Sequence, residues 1–356
     1  MNNIGNETEM RNANNYVTQE QIAKNSWNVV KDTPAIIFAK VGAALMLNRK
    51  RLVTKTFLID NNTMSYSLNK SWDKDFGLTL FQTIYLPKYA QIGALPSYNA
   101  SDIATIKVNV PNIQEQTAIG SLFRTLDDLL ASYKDNLTNY QSLKATMLSK
   151  MFPKIGQTVP EIRLDGFEGE WELCEINDLA DDFQSGGTPK TNVQEYWDGD
   201  IPWIQSSDLG INCLFEIKVQ KSISEKGLEN SSAKIIPKDS IAVVTRVGVG
   251  KLAVLRHEYA TSQDFLSLSN LKSNIEFTAY LLYRLLQKEV TQLQGTSIKG
   301  ITKGELLSKK VFIPSLPEQQ AIGAYFSNLD NLINSHQEKI SQLETLKKKL
   351  LQDMFI

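Results

Sequence analysis

Residues 245–251 read TRVGVGK, a glycine-spaced run closing on lysine of the kind whose backbone amides can cradle phosphate. The pattern GxxxxGK[ST] fails twice, because Thr245 stands at its first glycine and Leu252 where Ser or Thr should bind magnesium. Asp200, Asp208 and the triplet Glu216-Ile217-Lys218 are the residue types of a metal-dependent nuclease, yet such carboxylates with an ExK triplet are common on solvated faces. His257 and His336 are too far apart for a local ligand pair. Cys174 and Cys213 lack CxxC spacing and read as reduced, structural thiols. Neither a glycine-rich cofactor fingerprint nor an Asn-Pro-Pro-aromatic methyltransferase motif occurs, so the sequence points to no catalytic set, no metal and no cofactor.

Residues suited to gripping a nucleic acid are present, since Arg and Lys position a phosphate backbone while amides and hydroxyls read base edges. In the later part of the chain, Ser185, Gly186, Gly187, Thr188 and Lys190 form the loop SGGTPK, whose glycines permit close backbone approach. Trp203, Gln205, Ser206, Ser207 and Asp208 follow the strand start Ile201-Pro202, and Arg246, Lys251, Arg256 and Gln263 flank the central strands. Earlier, Arg49, Lys50 and Arg51, with Lys40 and Lys55, make the densest basic cluster. Each has an ordinary alternative in solubility or turn chemistry, and for Trp203 the core is favoured because aromatic side chains are mostly buried.

What must position these residues follows from length and pattern. A chain of 356 residues suits two domains, and 42% apolar with 22% charged residues is ordinary for a folded protein. The net charge of −1 offers no overall attraction to polyanions; residues 1–110 hold 12 basic against 8 acidic side chains, and 168–313 hold 16 against 20, so any basic surface is local. MNNIGNETEM has no apolar signal core, and the best apolar run, 35–47, is short and interrupted by Lys40, so a cytoplasmic protein without a membrane span is expected.

One phrase is written twice. QEQTAIGSLFRTLDDLL at 114–130 returns as PEQQAIGAYFSNLDNLI at 317–333, and from Pro111–Phe152 to Pro314–Phe355 the offset stays 203 with 16 of 42 positions identical. Apolar residues recur at steps of three and four: Ile119, Leu122, Leu126, Leu129, Tyr133, Leu137, Tyr140, Leu143, Met147 and Met151, and their mates from Ile322 to Met354. Each copy therefore predicts one long amphipathic helix, a rod of roughly 50 Å, and two such stripes can pair antiparallel as a coiled coil.

Each rod follows a β-rich stretch. PAIIFAKVGA (34–43) and DSIAVVTRVGVG (239–250) read as buried strands ended by glycine, Lys31-Asp32 matches Lys238-Asp239, and IKVNVP (106–111) matches KVFIP (310–314) as a strand leading into the helix. The expected architecture is α/β: a first domain at 1–113, a central helix at 114–152, a linker at 153–167, a second domain at 168–316 and a C-terminal helix at 317–356.

GEWE at 169–172, SGGTPKTNVQEYWDGDIPWIQSSDLG at 185–210, QGTSIKGITKGELL at 294–307 and IPSLPEQQAIGAYFSNLD at 313–330 give the sequence a resemblance, over nearly its whole length, to the specificity subunits of type I restriction-modification systems. The resemblance implies two target recognition domains, each reading half of a split site in double-stranded DNA. It further implies paired helices that fix the gap and hold two methyltransferase subunits and, through them, restriction subunits. The polar identities at the helix starts, Glu115, Gln116, Arg124 and Asp127 with Glu318, Gln319 and Asp330, are then candidate partner contacts, although a first-turn Glu also serves as a helix cap. About 40 residues before Lys238, including GGTP and IPW, have no counterpart before Lys31, so the first domain is expected to lack an opening strand and a recognition loop. Alternatives are a truncated or silent specificity allele acting as a half-subunit homodimer or recombination donor, and a coiled-coil adaptor that does not read DNA.

Overall fold

The computed structural model describes residues 8–91, 95–154, 156–292 and 300–355, so most of the stretch QGTSIKG lies outside the described residues. The chain divides into two compact units, one made of Met1–Asn136 with His336–Ile356, the other of Leu137–Ser335. Each unit thus combines one head, the first part of the rod that follows it, and the last part of the other rod.

Unit 1 contains α1 (Gln19–Lys24), β1 (Ala35–Ala39), α2 (Ala43–Met46), β2 (Lys50–Val53), β3 (Thr63–Ser67), α3 (Lys74–Thr83), α4 (Ala100–Ala104) and the start of α5 (Ile113–Lys150). Its antiparallel sheet has the order β2-β1-β3. The apolar run AIIFA makes β1 the buried central strand, with Ile36 and Phe38 packed among Leu45, Leu52, Phe81 and Tyr98. Helix α3 starts where the Asp73 carboxylate accepts the amides of Asp75 and Phe76, at 3.0 and 2.9 Å, which satisfies donors no helical carbonyl can reach.

Unit 2 contains the end of α5, then β4 (Glu172–Glu175), β5 (Ala180–Ser185), β6 (Trp197–Ile204), β7 (Lys221–Ile223), α6 (Glu225–Glu229), β8 (Ser240–Val244), β9 (Leu252–Leu255), β10 (Ala260–Thr261), β11 (Phe265–Leu271), α7 (Ile275–Gln292), α8 (Lys303–Leu307), β12 (Lys310–Ile313) and the first half of α9 (Leu316–Met354), whose second half belongs to unit 1. Three sheets form, ordered β5-β11-β8-β9, β10-β6-β7 and β12-β4. The order β9-β8-β11 repeats the β2-β1-β3 of unit 1, so the heads share a sheet core.

Two strand expectations need correction. Thr245–Gly250 is a loop rather than a continuation of β8, with Gly248 and Gly250 at φ of +92° and +103°, where a side chain would be strained. KVFI forms β12 by pairing with β4, but its mate at 106–110 is not a strand: among the described residues unit 1 has no counterpart of β4 to pair with it.

The rods form as the spacing predicts, but their buried stripe is displaced by one residue over part of its length. Phe123, Leu130, Leu148, Phe326 and Ile333 are buried, whereas Leu122, Leu129, Leu143, Leu332 and Leu346 are exposed. The large rings decide this: Phe355 meets Phe123 edge-on and stacks on Phe76 within unit 1, and Phe152 stacks on both Phe326 and Phe277 within unit 2. Contacts between the rods run antiparallel in both units. In unit 1 Asp127 pairs with Lys347, Lys134 with Glu344 at 2.6 Å, and Tyr133 meets His336 edge-on at 5.3 Å; in unit 2 Lys144 pairs with Asp330.

Each rod is also fixed to the head before it. Gln116 accepts the amide of Asp73 at 3.0 Å and donates to Pro111 O at 2.9 Å; Gln319 accepts that of Asn274 and donates to Pro314 O, both at 2.9 Å. One turn later, Gly120 lies against the start of α3 and Gly323 against the start of α7.

Candidate nucleic-acid interface

In unit 2 the residues singled out from sequence converge on one edge of the fold. Strands β6 and β10 run parallel and end together at Ile204 and Thr261. The amide of Gly187 donates to Thr261 O at 2.8 Å, and Trp203 Nε1 donates to Gly187 O at 2.9 Å, which ties the SGGTPK loop to both strands. A Cβ on Gly186 would stand 2.1 Å from Thr261 Oγ1 and one on Gly187 2.3 Å from the Ser232 backbone, so both glycines are required by packing. Thr188 Oγ1 donates to Gln263 at 2.6 Å. The amide of Ser262 donates to Ile204 O at 2.9 Å and that of Thr245 to Asp264 O at 2.7 Å. Lys251 Nζ donates to Ser206 O at 3.1 Å, joining the 205–208 turn to the glycine loop.

This cluster separates the candidates into support and surface. Trp203, Gly187 and Asp208 are buried; Asp208 accepts the amide of Gln205 at 3.1 Å and closes its own turn. Ser185, Lys190, Ser207, Arg246 and Gln263 are exposed, and Gly186, Thr188, Gln205, Ser206 and Lys251 half-buried. Two kinds of residue escaped the sequence reading. Thr261, Ser262 and Asp264 anchor three stretches through their backbones, which no motif marks. Val247, 71% exposed at the loop tip between Arg246 and the two positive-φ glycines, passed for part of an apolar strand.

Arg256 does not belong to the cluster. β8 and β9 are antiparallel, with Val243 opposite Leu252 and Ser240 opposite Leu255, so Lys251 and Arg256 lie at opposite ends of the pair. Arg256 is engaged by Asp239 at 3.0 Å and by Glu276 at the start of α7. Among the described residues, no group of three His, Cys, Asp or Glu could hold a metal. Cys174 is pushed up to about 11, chiefly by burial and further by Asp178 and Glu172.

Unit 1 offers less. Lys50 and Arg51 are buried, which removes them from the basic cluster: Lys50 Nζ donates to Ile84 O at 2.6 Å and Asn48 Oδ1 at 2.8 Å, and Arg51 donates to Glu9 O at 3.0 Å. Burial lowers Lys50 to about 8. Lys40 and Arg49 are half-buried and Lys55 exposed.

The polar identities of the rods have partners inside the chain. Gln116 and Gln319 are buried against the heads. Glu318, 1% exposed, receives Arg163 through two hydrogen bonds of 2.8 and 2.7 Å, and Asp330 receives Lys144 and the Tyr280 hydroxyl, the latter at 2.7 Å. Burial and the Asp330 carboxylate raise the Tyr280 phenol far above its ordinary range. Asp127 holds Lys347, and Arg124 reaches Asp75 at 3.4 Å and Asp128 at 3.8 Å. Glu115 is exposed and caps nothing, because Asn112 accepts the amides of Gln114 and Glu115 at 3.1 and 3.0 Å. Intramolecular packing therefore accounts for the repetition of Gln116 as Gln319 and of Asp127 as Asp330, but not for that of Glu318, whose mate Glu115 is exposed.

Comparison with known proteins bears on the whole arrangement. Residues 168–345, half of the chain, match the family described as type I restriction modification DNA specificity domain. The chain is similar to the type I restriction enzyme MjaIX specificity subunit of Methanocaldococcus jannaschii, 28% identical over 191 residues that cover 52% of this chain and 44% of that subunit. It is also similar to the EcoR124I/EcoR124II specificity subunit of Escherichia coli, 28% identical over 190 residues covering 51% of this chain and 46% of that one. The chain thus spans about half the length of these curated relatives. A crystal structure of the type I restriction-modification S subunit from M. genitalium superposes with a TM-score of 0.64 at 15% identity, covering 93% of this chain and 85% of that one, and so shares the fold. With the family pattern spanning half the sequence and a shared fold beneath it, the chain belongs to the type I restriction-modification DNA specificity family.

Proposed function

We propose that this chain is a non-catalytic specificity subunit, working in the cytoplasm, that reads double-stranded DNA mainly with unit 2 and docks methyltransferase subunits on its rods, with restriction subunits held through them. One observation carries the reading: the stretches 185–190, 203–208, 245–251 and 261–263 meet on one edge and are hydrogen-bonded together, while Lys190, Ser207, Arg246, Val247 and Gln263 remain exposed. A rigid base with basic, hydroxyl, amide and one apolar side chain left over matches what phosphates, base edges and a thymine methyl group require. The docking role is supported by Leu122, Leu129, Leu332 and Leu346, exposed apolar side chains on rods whose other face is already covered. The relatives' names, which are those of specificity subunits, support recognition rather than catalysis.

The test is a selection from a random duplex pool, with purified chain alone and with a methyltransferase subunit. Enrichment of a defined sequence that Arg246→Ala weakens supports the reading. A chain that binds the methyltransferase subunit yet enriches no sequence would leave the adaptor alternative standing.

A further inference from the structure

The two heads differ in what covers one side of the shared sheet. In unit 2, β11 pairs with β5 over five registered positions, from Leu266 opposite Ser185 to Leu271 opposite Ala180, and β12 pairs with β4. Between these strands, Ile176 and Leu179 enter the core beside Leu268, Leu306 and Val311. In unit 1, β3 stands where β11 does and has β1 as its one neighbour among the described residues. The segment 107–110, mate of β12, pairs with nothing in the sheet. The apolar residues between them are left uncovered: Tyr66 and Val108 are 37% and 38% exposed, whereas Leu268 and Val311 are 0% and 5%. They line an open recess of about 70 Å³ with Leu80, Phe81, Ile84 and Ile103. An unpaired, uncharged strand edge beside an apolar recess is a ready template for an added strand.

Charge indicates what fits there. The covering segment in unit 2, residues 172–185, has five acidic side chains (Glu172, Glu175, Asp178, Asp181 and Asp182) and no basic one. Lys272 pairs with Asp181 at 2.7 Å, and Lys310 lies opposite Glu175 in the register. Their mates in unit 1, Lys70 and Lys107, are exposed and have no acidic partner among the described residues.

We propose that the first head is an acceptor for an acidic strand–turn–strand segment carried by another polypeptide. One strand adds to 107–110, the other adds to β3, and two apolar side chains of the turn seat in the recess between them. Lys70 and Lys107 then meet acidic side chains of the incoming segment as Lys272 and Lys310 do in unit 2. This inference is independent of the DNA-reading role, because it concerns backbone pairing within one head.

The probe is a fluorescein-labelled synthetic peptide with the sequence of residues 170–186, titrated by anisotropy against the full chain. Saturable binding is expected, with amide hydrogen exchange slowed at 63–67 and 107–110. A peptide carrying Ile176→Asp and Leu179→Asp should not bind. The chain variant Lys70→Glu with Lys107→Glu, both at exposed positions that folding tolerates, should bind about tenfold more weakly at low salt and less so at high salt. Absence of binding overturns the proposal. So does protection that falls on β11 and β12, since the peptide would then be displacing its own counterpart in the second head. Protection at 63–67 that grows with chain concentration without peptide also overturns it, by making a second copy the occupant.

Discussion

The Asp127 carboxylate holds the Lys347 ammonium, and because both residues recur 203 positions away the pair recurs with the rods exchanged, as Asp330 with Lys144. The same reciprocity links Phe355 to Phe76 in one unit and Phe152 to Phe277 in the other. Residue i of one copy touches j of the other, and j touches i, as in a self-complementary interface between identical chains. Repetition at these positions is thus a requirement of the rods fitting each other.

The two ion pairs should differ in consequence. Lys144 and Asp330 are buried, so Lys144→Ala leaves a carboxylate in the core with the Tyr280 hydroxyl as its remaining donor and should cost about 3 kcal/mol. The Asp127–Lys347 pair is partly solvated, with side chains 20% and 17% exposed, and Lys347→Ala should cost about 1 kcal/mol. Urea denaturation followed by circular dichroism measures both. Equal losses would show that burial does not separate the pairs.

Gly120 and Gly323 should resist replacement even though alanine is the better helix former by about 1 kcal/mol. A Cβ on Gly120 would fall 2.4 Å from Asp73 Oδ1 and 2.6 Å from the Phe76 amide; on Gly323 it would fall 2.7 Å from Asn274 Oδ1 and 3.0 Å from the Phe277 amide. Pushing the rod off a capped helix start costs about 2 to 3 kcal/mol, which exceeds the propensity gain. Both alanine variants should lower the melting temperature, Gly120→Ala more than Gly323→Ala, and a rise in either would contradict the close approach.

Lys50 gives the first head a pH signature. With its pKa lowered to about 8 from an ordinary 10.5, the folded chain releases this proton before the unfolded chain does. The cost of burying the ammonium is carried in full below pH 8 and is relieved as pH rises from 8 to 10.5, so this group's contribution makes stability rise with pH by about 1.4 kcal/mol per unit. Lys50→Met keeps an apolar stem without the titrating group. The wild type should gain stability relative to the variant across that window, and parallel pH profiles would argue against a buried ammonium.

Arginine position within unit 2 should decide its effect on DNA. Arg246→Ala removes an exposed cation from the loop cluster and should weaken duplex binding about tenfold while reducing the slope of log affinity against log salt by about 1. Arg256→Ala, at the far end of β9 and already paired with Asp239 and Glu276, should leave that slope unchanged. Anisotropy titrations at several salt concentrations compare them directly; matching slopes for the two variants would remove the cluster from the interface.

The two rods could be read from the repeat, because helical spacing held over 42 positions at an offset of 203 leaves little freedom. The roles of the polar identities could not. A carboxylate that meets a lysine 220 residues away looks the same in sequence as one that meets another protein. Lys50 and Arg51 misled for a related reason: β2 is covered by residues 8–10, through Leu52 N to Thr8 O at 2.9 Å and Met10 N to Leu52 O at 2.8 Å, a long-range pairing that composition does not foretell. In unit 2 the loop residues were legible because glycines, a tryptophan and hydroxyls cluster along the chain. Their assembly depended on the Thr261–Ser262 backbone, which carries no such mark.

Unit 1 joins the beginning of the sequence to its far end, with Phe355 packed against Phe76 and Phe123. A ribosome makes these partners in the least convenient order: the first head emerges early, while the ring that completes its aromatic cluster is added more than two hundred residues later. Unit 2, a single continuous stretch from Leu137 to Ser335, has no such wait and can close as soon as it has been translated. The nascent first head therefore keeps the Phe76–Phe123 cluster without its Phe355 cover until the end of α9 is made.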